Sequence, residues 1–323
     1  MKKYLIPFFI SLFVILILLC GCFSEENEST EKQTLYVDDS GSQKYMRIQE
    51  AINAANTGDT VFVYNGTYYE SIIIDKSINL IGENEKNTQI ILDNDNIKFL
   101  DEKYSYIPND EVGIVHITAN YCTVQGFTIK NRVNTDQYNY DVSCVRISSS
   151  NNVISNNIIL EGKYGVFLFE ATYDNTVSYN NISLNDYCGI YISSRTERNN
   201  FYNNDISNNF YGIRAKGTSF NVIYKNNITG NLDGITFCCG AKNNTIFKNN
   251  FRNNTGLQAH DLIGDNNWDN ENIGNFWDDY TVKYPNATYD EFIYNIPYDI
   301  PGGFVSDNYP LVKPYEENNS NHH

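Results

Sequence analysis

Between residues 153 and 251 the apolar positions fall in short alternating runs, not in helical stripes. Val166/Leu168, Ile190/Ile192, Ile213/Ala215 and Ile235/Phe237 are each separated by one residue, the period of a β-strand. A phrase ending in an apolar anchor recurs through the same region. It reads Asn156-Asn157-Ile158, Asn180-Asn181-Ile182, Asn204-Asp205-Ile206, Asn226-Asn227-Ile228 and Asn249-Asn250-Phe251, at steps of 24, 24, 22 and 23 residues. Five residues before each anchor stands another apolar residue: Val153, Val177, Phe201, Ile223 and Ile246. Glycine opens the following run at Gly165, Gly189, Gly212 and Gly234. A fixed period of this size marks a repeat in which each unit buries its apolar face on the next. Helical repeats need roughly 33 to 47 residues, and the leucine-dense consensus of leucine-rich repeats is missing. Each unit therefore reads as one coil of a parallel β-helix, with like residues in columns at the strand spacing of about 4.8 Å. Stacked asparagines can hydrogen-bond side chain to side chain along such a column.

A solenoid must cover its open ends, where apolar side chains and strand edges would meet water. Ile48, Ala51, Ile52 and Ala55 lie at helical spacing and predict an amphipathic helix over the first coil. Residues 266–315 break the repeat and are dense in Trp, Tyr, Phe and Pro, which predicts a second cap. The expected organisation is a β-helix over 34–265, a C-terminal cap over 266–315 and a disordered tail over 316–323. Trp268, Trp277 and Tyr280 could instead form a sugar-stacking platform, but large exposed aromatics are costly without a partner.

Three segments resemble a known family. At the start these are Leu35-Tyr-Val-Asp-Asp39, Ile48-Gln-Glu-Ala-Ile-Asn-Ala-Ala55, Gly58-Asp-Thr-Val-Phe-Val63, Asn65-Gly-Thr-Tyr68 and Ile78-Asn-Leu-Ile-Gly82. The Asn-Asn-Ile coils fill the middle. At the end come Asn267-Trp268-Asp269, Gly274-Asn-Phe-Trp-Asp-Asp-Tyr280, Ile296-Pro-Tyr298 and Asp307-Asn-Tyr-Pro-Leu311. Together they resemble NosD-like proteins of the pectin-lyase-like superfamily. The fold class this implies is all-β: a single-stranded, right-handed parallel β-helix of about 22–24-residue coils, with an N-terminal capping helix and an aromatic C-terminal cap.

Ahead of the repeat, Lys2 and Lys3 precede an apolar run over residues 4–19, short and early for a membrane span. Leu19-Cys20-Gly21-Cys22 resembles a lipobox, with residues 1–21 removed and Cys22 lipidated. An uncleaved N-terminal anchor is the alternative. Residues 22–33, rich in Glu, Ser and Asn, read as a flexible tether. Either way the folded part is expected outside the cytoplasm, held at a membrane. Without residues 1–21 the chain carries 21 basic and 39 acidic residues, a net charge of −18. That balance argues against nucleic acid or an anionic membrane surface as partner. The chain is expected to be a monomer.

Candidate chemistry is sparse. Cys122, Cys144, Cys188, Cys238 and Cys239 form no CxxC pair or Cys/His cluster, so no zinc site is expected. Cys238-Cys239 could chelate a soft metal, although successive strand residues point to opposite faces. Asp265-Asn-Asn-Trp-Asp269 has spaced oxygen ligands but lacks the glycine and glutamate of a calcium loop. No cofactor or metal is assigned.

Between the inward positions, one outward column aligns as His116, Arg146, Phe167, Tyr191, Arg214 and Thr236, with Phe169, Ser193 and Lys216 beside it. Aromatics stack on sugar rings and arginine pairs with carboxylates or sulfates, so Arg146, Phe167, Tyr191 and Arg214 are the candidate ligand-binding residues for a polysaccharide or surface glycan. An ordinary solvated sheet face is the competing reading. Pectin-lyase-like enzymes carry acidic and basic residues outward, and the resemblance makes Glu170 with Arg195 or Lys216 the candidate catalytic group of a glycan lyase or epimerase. Acids in the insertions over residues 93–111 and 136–141 are further candidates. No column repeats a carboxylate pair of the kind a glycoside hydrolase uses. The NosD resemblance also implies an accessory role in copper-site maturation of nitrous oxide reductase. The histidines His116 and His260 lie far apart in sequence, and the mature chain keeps only Met46.

Overall fold

The computed structural model describes residues 31–96, 111–133 and 141–316. The lipobox, Cys22, most of the tether, the last seven residues of the tail and most of both acid-bearing insertions lie outside the described residues. No helix of the described residues is long and apolar enough to cross a membrane. The described strands, from Thr34 to Asp307, form three parallel sheets of nine, eight and nine strands, followed near the C-terminus by two short antiparallel ribbons. Each coil supplies one strand to each sheet in turn. In one coil these are Thr176–Ser178 in the first sheet, Asn181–Ser183 in the second and Cys188–Ile192 in the third. This is the right-handed parallel β-helix the repeat predicts.

The core is a set of columns. In the first sheet Val124, Ile154, Val177, Phe201, Ile223 and Ile246 stack in register. In the second the column is Ile129, Ile159, Ile182, Ile206, Ile228, Phe251 and finally Trp277. All are buried. One coil departs from the sequence alignment by a residue. Its inward positions are Ile154 and Ile159, not Val153 and Ile158, and Val153 is 37% exposed. The steps between equivalent asparagines are accordingly read from Asn157, not Asn156. A shift of one residue in a strand reverses every side chain, so burial of both isoleucines decides the register.

Asparagine ladders hold the three corners of each coil. Asn152, Asn175, Asn199, Asn221, Asn244 and Asn266 form the first, and Asn157, Asn180, Asn204, Asn226, Asn249 and Asn275 the second. Asn185, Asn209, Asn231 and Asn254 form the third. Along each ladder the side-chain oxygen of one coil accepts both the backbone N–H and the amide NH₂ of the preceding coil, at 2.8–3.1 Å. In most coils the residue before a ladder asparagine turns the corner with a positive φ, even where it is bulky: Tyr179, Leu184, Arg198, Phe220, Lys225 and Lys248 all stand at 57° or 58°. Left-handed backbone costs a residue with a Cβ about 1–2 kcal/mol, and the ladder bonds offset that cost. Cys122 takes the asparagine's place in its coil: its N–H donates to Asn152 and its thiol to the carbonyls of Lys76 and Ala119.

Each ladder needs a final acceptor, which the last coil and the C-terminal cap provide. Asn266 donates its NH₂ to the buried Asp261, Asn275 its backbone N–H to the buried Asp307, and Asn254 its NH₂ to Gln258. The same two carboxyls anchor the indoles, taking Trp268 Nε1–H at 3.2 Å and Trp277 Nε1–H at 2.8 Å. Trp277 stacks on Phe251 at 4.3 Å, and Tyr298 on Trp277 at 4.1 Å, so the aromatic pile continues the core past the last coil. Trp268, Trp277 and Tyr280 are fully buried, which removes the sugar-platform reading. At the other end helix α1, Ile48–Ala54, buries Ile48, Ala51 and Ile52. Its first N–H groups donate to Glu70 from the following segment.

Replacing Asn204 by Ala removes the acceptor for the Asn180 backbone N–H and the donor to the carbonyls of Val177 and Tyr202. Buried groups left unpaired cost about 1–3 kcal/mol each, so thermal melting is expected to drop by roughly 5 °C or more, while the exposed Asn181→Ala stays near wild type. Burial pushes the Asp307 carboxyl up to about 7, against the N–H donors of Asn275, Trp277 and Tyr309. A carboxyl held above its ordinary 3.8 binds its proton more tightly when folded, so its contribution is complete below that value and lost as pH rises through about 7. The melting difference between wild type and Asp307→Asn is expected to change across this window. A difference that is flat with pH would contradict it.

Candidate functional site on the third sheet

The outward column of the third sheet runs in register as Ile73, His116, Arg146, Phe167, Tyr191, Arg214, Thr236 and His260. The alignment therefore places Arg146, Phe167, Tyr191 and Arg214 on one face, and His260 extends it. Openness is another matter. Arg146 is 4% exposed and Phe167 3%, because coils about 4.8 Å apart bring large neighbours over each other. The Arg146 guanidinium lies 4.4 Å from the Phe169 ring and 5.3 Å from Phe167. Tyr164 and Tyr191 each stand 5.2 Å from Phe167. This end of the strip is a small packed cluster on the outside of the sheet.

The other end stays accessible. Tyr187, Tyr191, Tyr211 and Arg214 are half-buried and Phe210 is exposed. Arg214 sits over the rings of Tyr211 at 4.9 Å and Tyr187 at 5.3 Å, and it donates to the Tyr187 hydroxyl. Its Nε–H is buried without a hydrogen-bond acceptor, and no carboxylate pairs with it among the described residues. The neighbouring Thr236 hydroxyl, buried, also lacks a partner. Burial pushes the Tyr191 phenol up to about 12 and the Cys188 thiol well above its ordinary value, so both stay neutral. Tyr187, Phe210 and Tyr211 are absent from the sequence alignment of the strip. Their signal is an aromatic just before each coil glycine: Tyr164-Gly165, Tyr187-Cys188-Gly189 and Phe210-Tyr211-Gly212.

Of the candidate catalytic residues, Glu170 and Arg195 meet in an exposed ion pair at 2.7 Å on successive coils. The carboxylate is engaged by the cation expected to assist it. Lys216 is exposed one coil on, in register with Cys238. The described residues contain no group of three or more His, Cys, Asp or Glu able to hold a metal. His116 and His260 sit six strand steps apart in the column, or about 29 Å. Cys238 and Cys239 do not diverge as strand alternation predicts. The strand Asp233–Cys238 ends there, Cys239 turns with φ +58°, and the two sulfurs lie 3.2 Å apart. Asn181 and Asn227, aligned with the ladders in the sequence, are exposed one residue beyond them.

Replacing Arg146 by Ala is expected to act as a packing lesion, lowering melting by several degrees as the cation–π contacts with Phe167 and Phe169 are lost. An Arg146→Ala protein that melts like wild type would contradict that placement.

Comparison with known proteins finds a match to the family model described as "Periplasmic copper-binding protein (NosD)" over residues 52–282. No curated protein matches. Among solved structures, carrot pectin methylesterase is 15% identical, with 78% of this chain and 79% of that one covered at a TM-score of 0.47. Alginate lyase from Paenibacillus sp. is 13% identical, over 76% and 88%, at 0.44. ORF18 of Geobacillus virus E2 is 15% identical at 0.46; the match covers 85% of this chain but only 59% of the viral one.

Proposed function

The chain belongs to the NosD family, and on that premise we propose that it is an extracytoplasmic β-helix protein, lipid-anchored at Cys22, that binds an acidic glycan on the third sheet's outer face. The family's description as periplasmic agrees with an extracytoplasmic location. The reading rests on Arg214. In a chain with a net charge of −16, a half-buried guanidinium that has rings for walls and no carboxylate partner is arranged for an external anion. A uronate or sulfate would pair with the guanidinium's terminal N–H groups, with the sugar ring lying against Tyr187, Tyr211 or Phe210. The accessible residues are therefore Tyr187, Tyr191, Phe210, Tyr211 and Arg214, with Arg146 and Phe167 packed in the preceding coils of the same column. Lys216 adds positive charge at the edge. Glu170 and Arg195 remain the place to look for proton abstraction if the glycan is also cleaved or epimerised.

A charged hydrogen bond of this kind contributes about 1.5–3 kcal/mol, so Arg214→Ala is expected to weaken binding of an acidic oligosaccharide by roughly tenfold or more. Titration of the full chain in detergent with oligouronate and sulfated oligosaccharides checks this. Equal affinity in wild type and Arg214→Ala, or no binding of any acidic glycan, would overturn the reading.

Copper handling is the second reading, favoured by the family's description and by one observation, the approach of the Cys238 and Cys239 sulfurs. Copper(I) is satisfied by few soft donors, so a thiol pair fits it where the separated histidines do not.

A further inference from the structure

We infer that Cys238 and Cys239 form a chelating site for a soft, thiophilic cation at the edge of the third sheet. The site rests on the copper-handling reading for its biological cation but on geometry for its position. Cys238 is the last residue of its strand and points outward, 4% exposed, in register with Lys216. Its carbonyl accepts the N–H groups of Gly217 and Ala241, which fixes the bend. Cys239, at φ +58°, then swings back so that its sulfur stands 3.2 Å from the first, and Cys239 itself is exposed. Gly240 follows at φ +88° with open space where a Cβ would stand, leaving the approach to the sulfurs clear.

A disulfide is poorly placed to consume this pair. Chain neighbours across a trans peptide hold their Cα atoms about 3.8 Å apart, whereas disulfides span roughly 4.4–6.8 Å. The thiols are therefore left reduced and available. Metal ligation needs only that both sulfurs reach one ion at about 2.3 Å, and rotation of the exposed Cys239 side chain adjusts the bite. Binding Cu⁺ releases two protons and leaves a bis-thiolate complex of charge −1. Lys216 lies beside Cys238 in register and sets a positive charge next to the anionic complex. The described residues place no other cysteine, histidine or acid with them to make a group of three. That argues for an ion of low coordination number over zinc, which takes four ligands.

The test is anaerobic titration of the full chain in detergent with Cu⁺ against a chromogenic Cu⁺ chelator, ascorbate keeping the metal reduced, with X-ray absorption at the copper edge to identify donors. Wild type is expected to hold one Cu⁺ with sulfur scatterers. Cys238→Ser/Cys239→Ser is expected to bind at least 100-fold more weakly at unchanged melting temperature. Cys239→Ser alone, altering only the exposed residue, guards against a folding defect and is expected to lose most of the affinity. Equal Cu⁺ binding in wild type and both variants would overturn the site while leaving copper handling standing. No Cu⁺ binding in wild type would overturn both. A mass two hydrogens lighter over the 238–239 peptide after purification under reductant would show a disulfide and overturn the site.

Discussion

Everything in this chain depends on satisfying a backbone that turns sharply three times in every coil. Each turn removes a residue from strand pairing and forces the residue before it into a left-handed conformation. The asparagine that follows repairs the deficit: its oxygen takes an N–H pair from the preceding coil and its NH₂ feeds carbonyls of its own and the preceding coil, as Asn204 does for Asn180, Val177 and Tyr202. Buried polar groups are tolerated only when fully paired. The ladders are therefore not an ornament on an apolar core but the condition for closing it. Their polarity also explains how the stack ends, since a directional chain of amides must finish in an acceptor, and Asp261 of the last coil and Asp307 of the cap supply buried ones.

A rigid scaffold of this kind presents side chains in columns with little freedom to choose neighbours. Outward positions on the third sheet must accept whatever stands one coil above and below. Where the neighbours are all large, as at Arg146 and Phe167 with Tyr164 packed alongside, the column seals itself. Where the small Thr236 follows, Arg214 is left half-buried and accessible. The accessible site and the packed cluster are thus one face under different crowding. The thiol pair appears just beyond, where the third-sheet strand ends and Cys239 leaves strand geometry.

The period, the strand character and both caps were legible in the sequence because they rest on residue type at fixed spacing. The asparagine phrase was visible too, but it mixes two roles. In Asn156-Asn157 the first residue turns the corner and the second is the ladder, whereas in Asn180-Asn181 the first is the ladder and the second is exposed. Residue identity cannot separate those roles; only burial of Ile154 and Ile159 does. For the site, the outward column was readable from parity, but its burial was not, since that depends on ring packing across coils. The meeting of the Cys238 and Cys239 sulfurs was hidden for the opposite reason: parity stops applying one residue after the strand ends, and only the backbone angle of Cys239 reveals it.

The most direct measurement of the functional account is hydrogen–deuterium exchange of the full chain in detergent, with and without a saturating oligouronate. The account predicts slowed exchange in peptides covering residues 186–193 and 210–216, with the stacked Tyr202, Tyr224 and Phe247 face of the first sheet unchanged. Protection confined to that first-sheet face or to the C-terminal cap, or none at all, would contradict it.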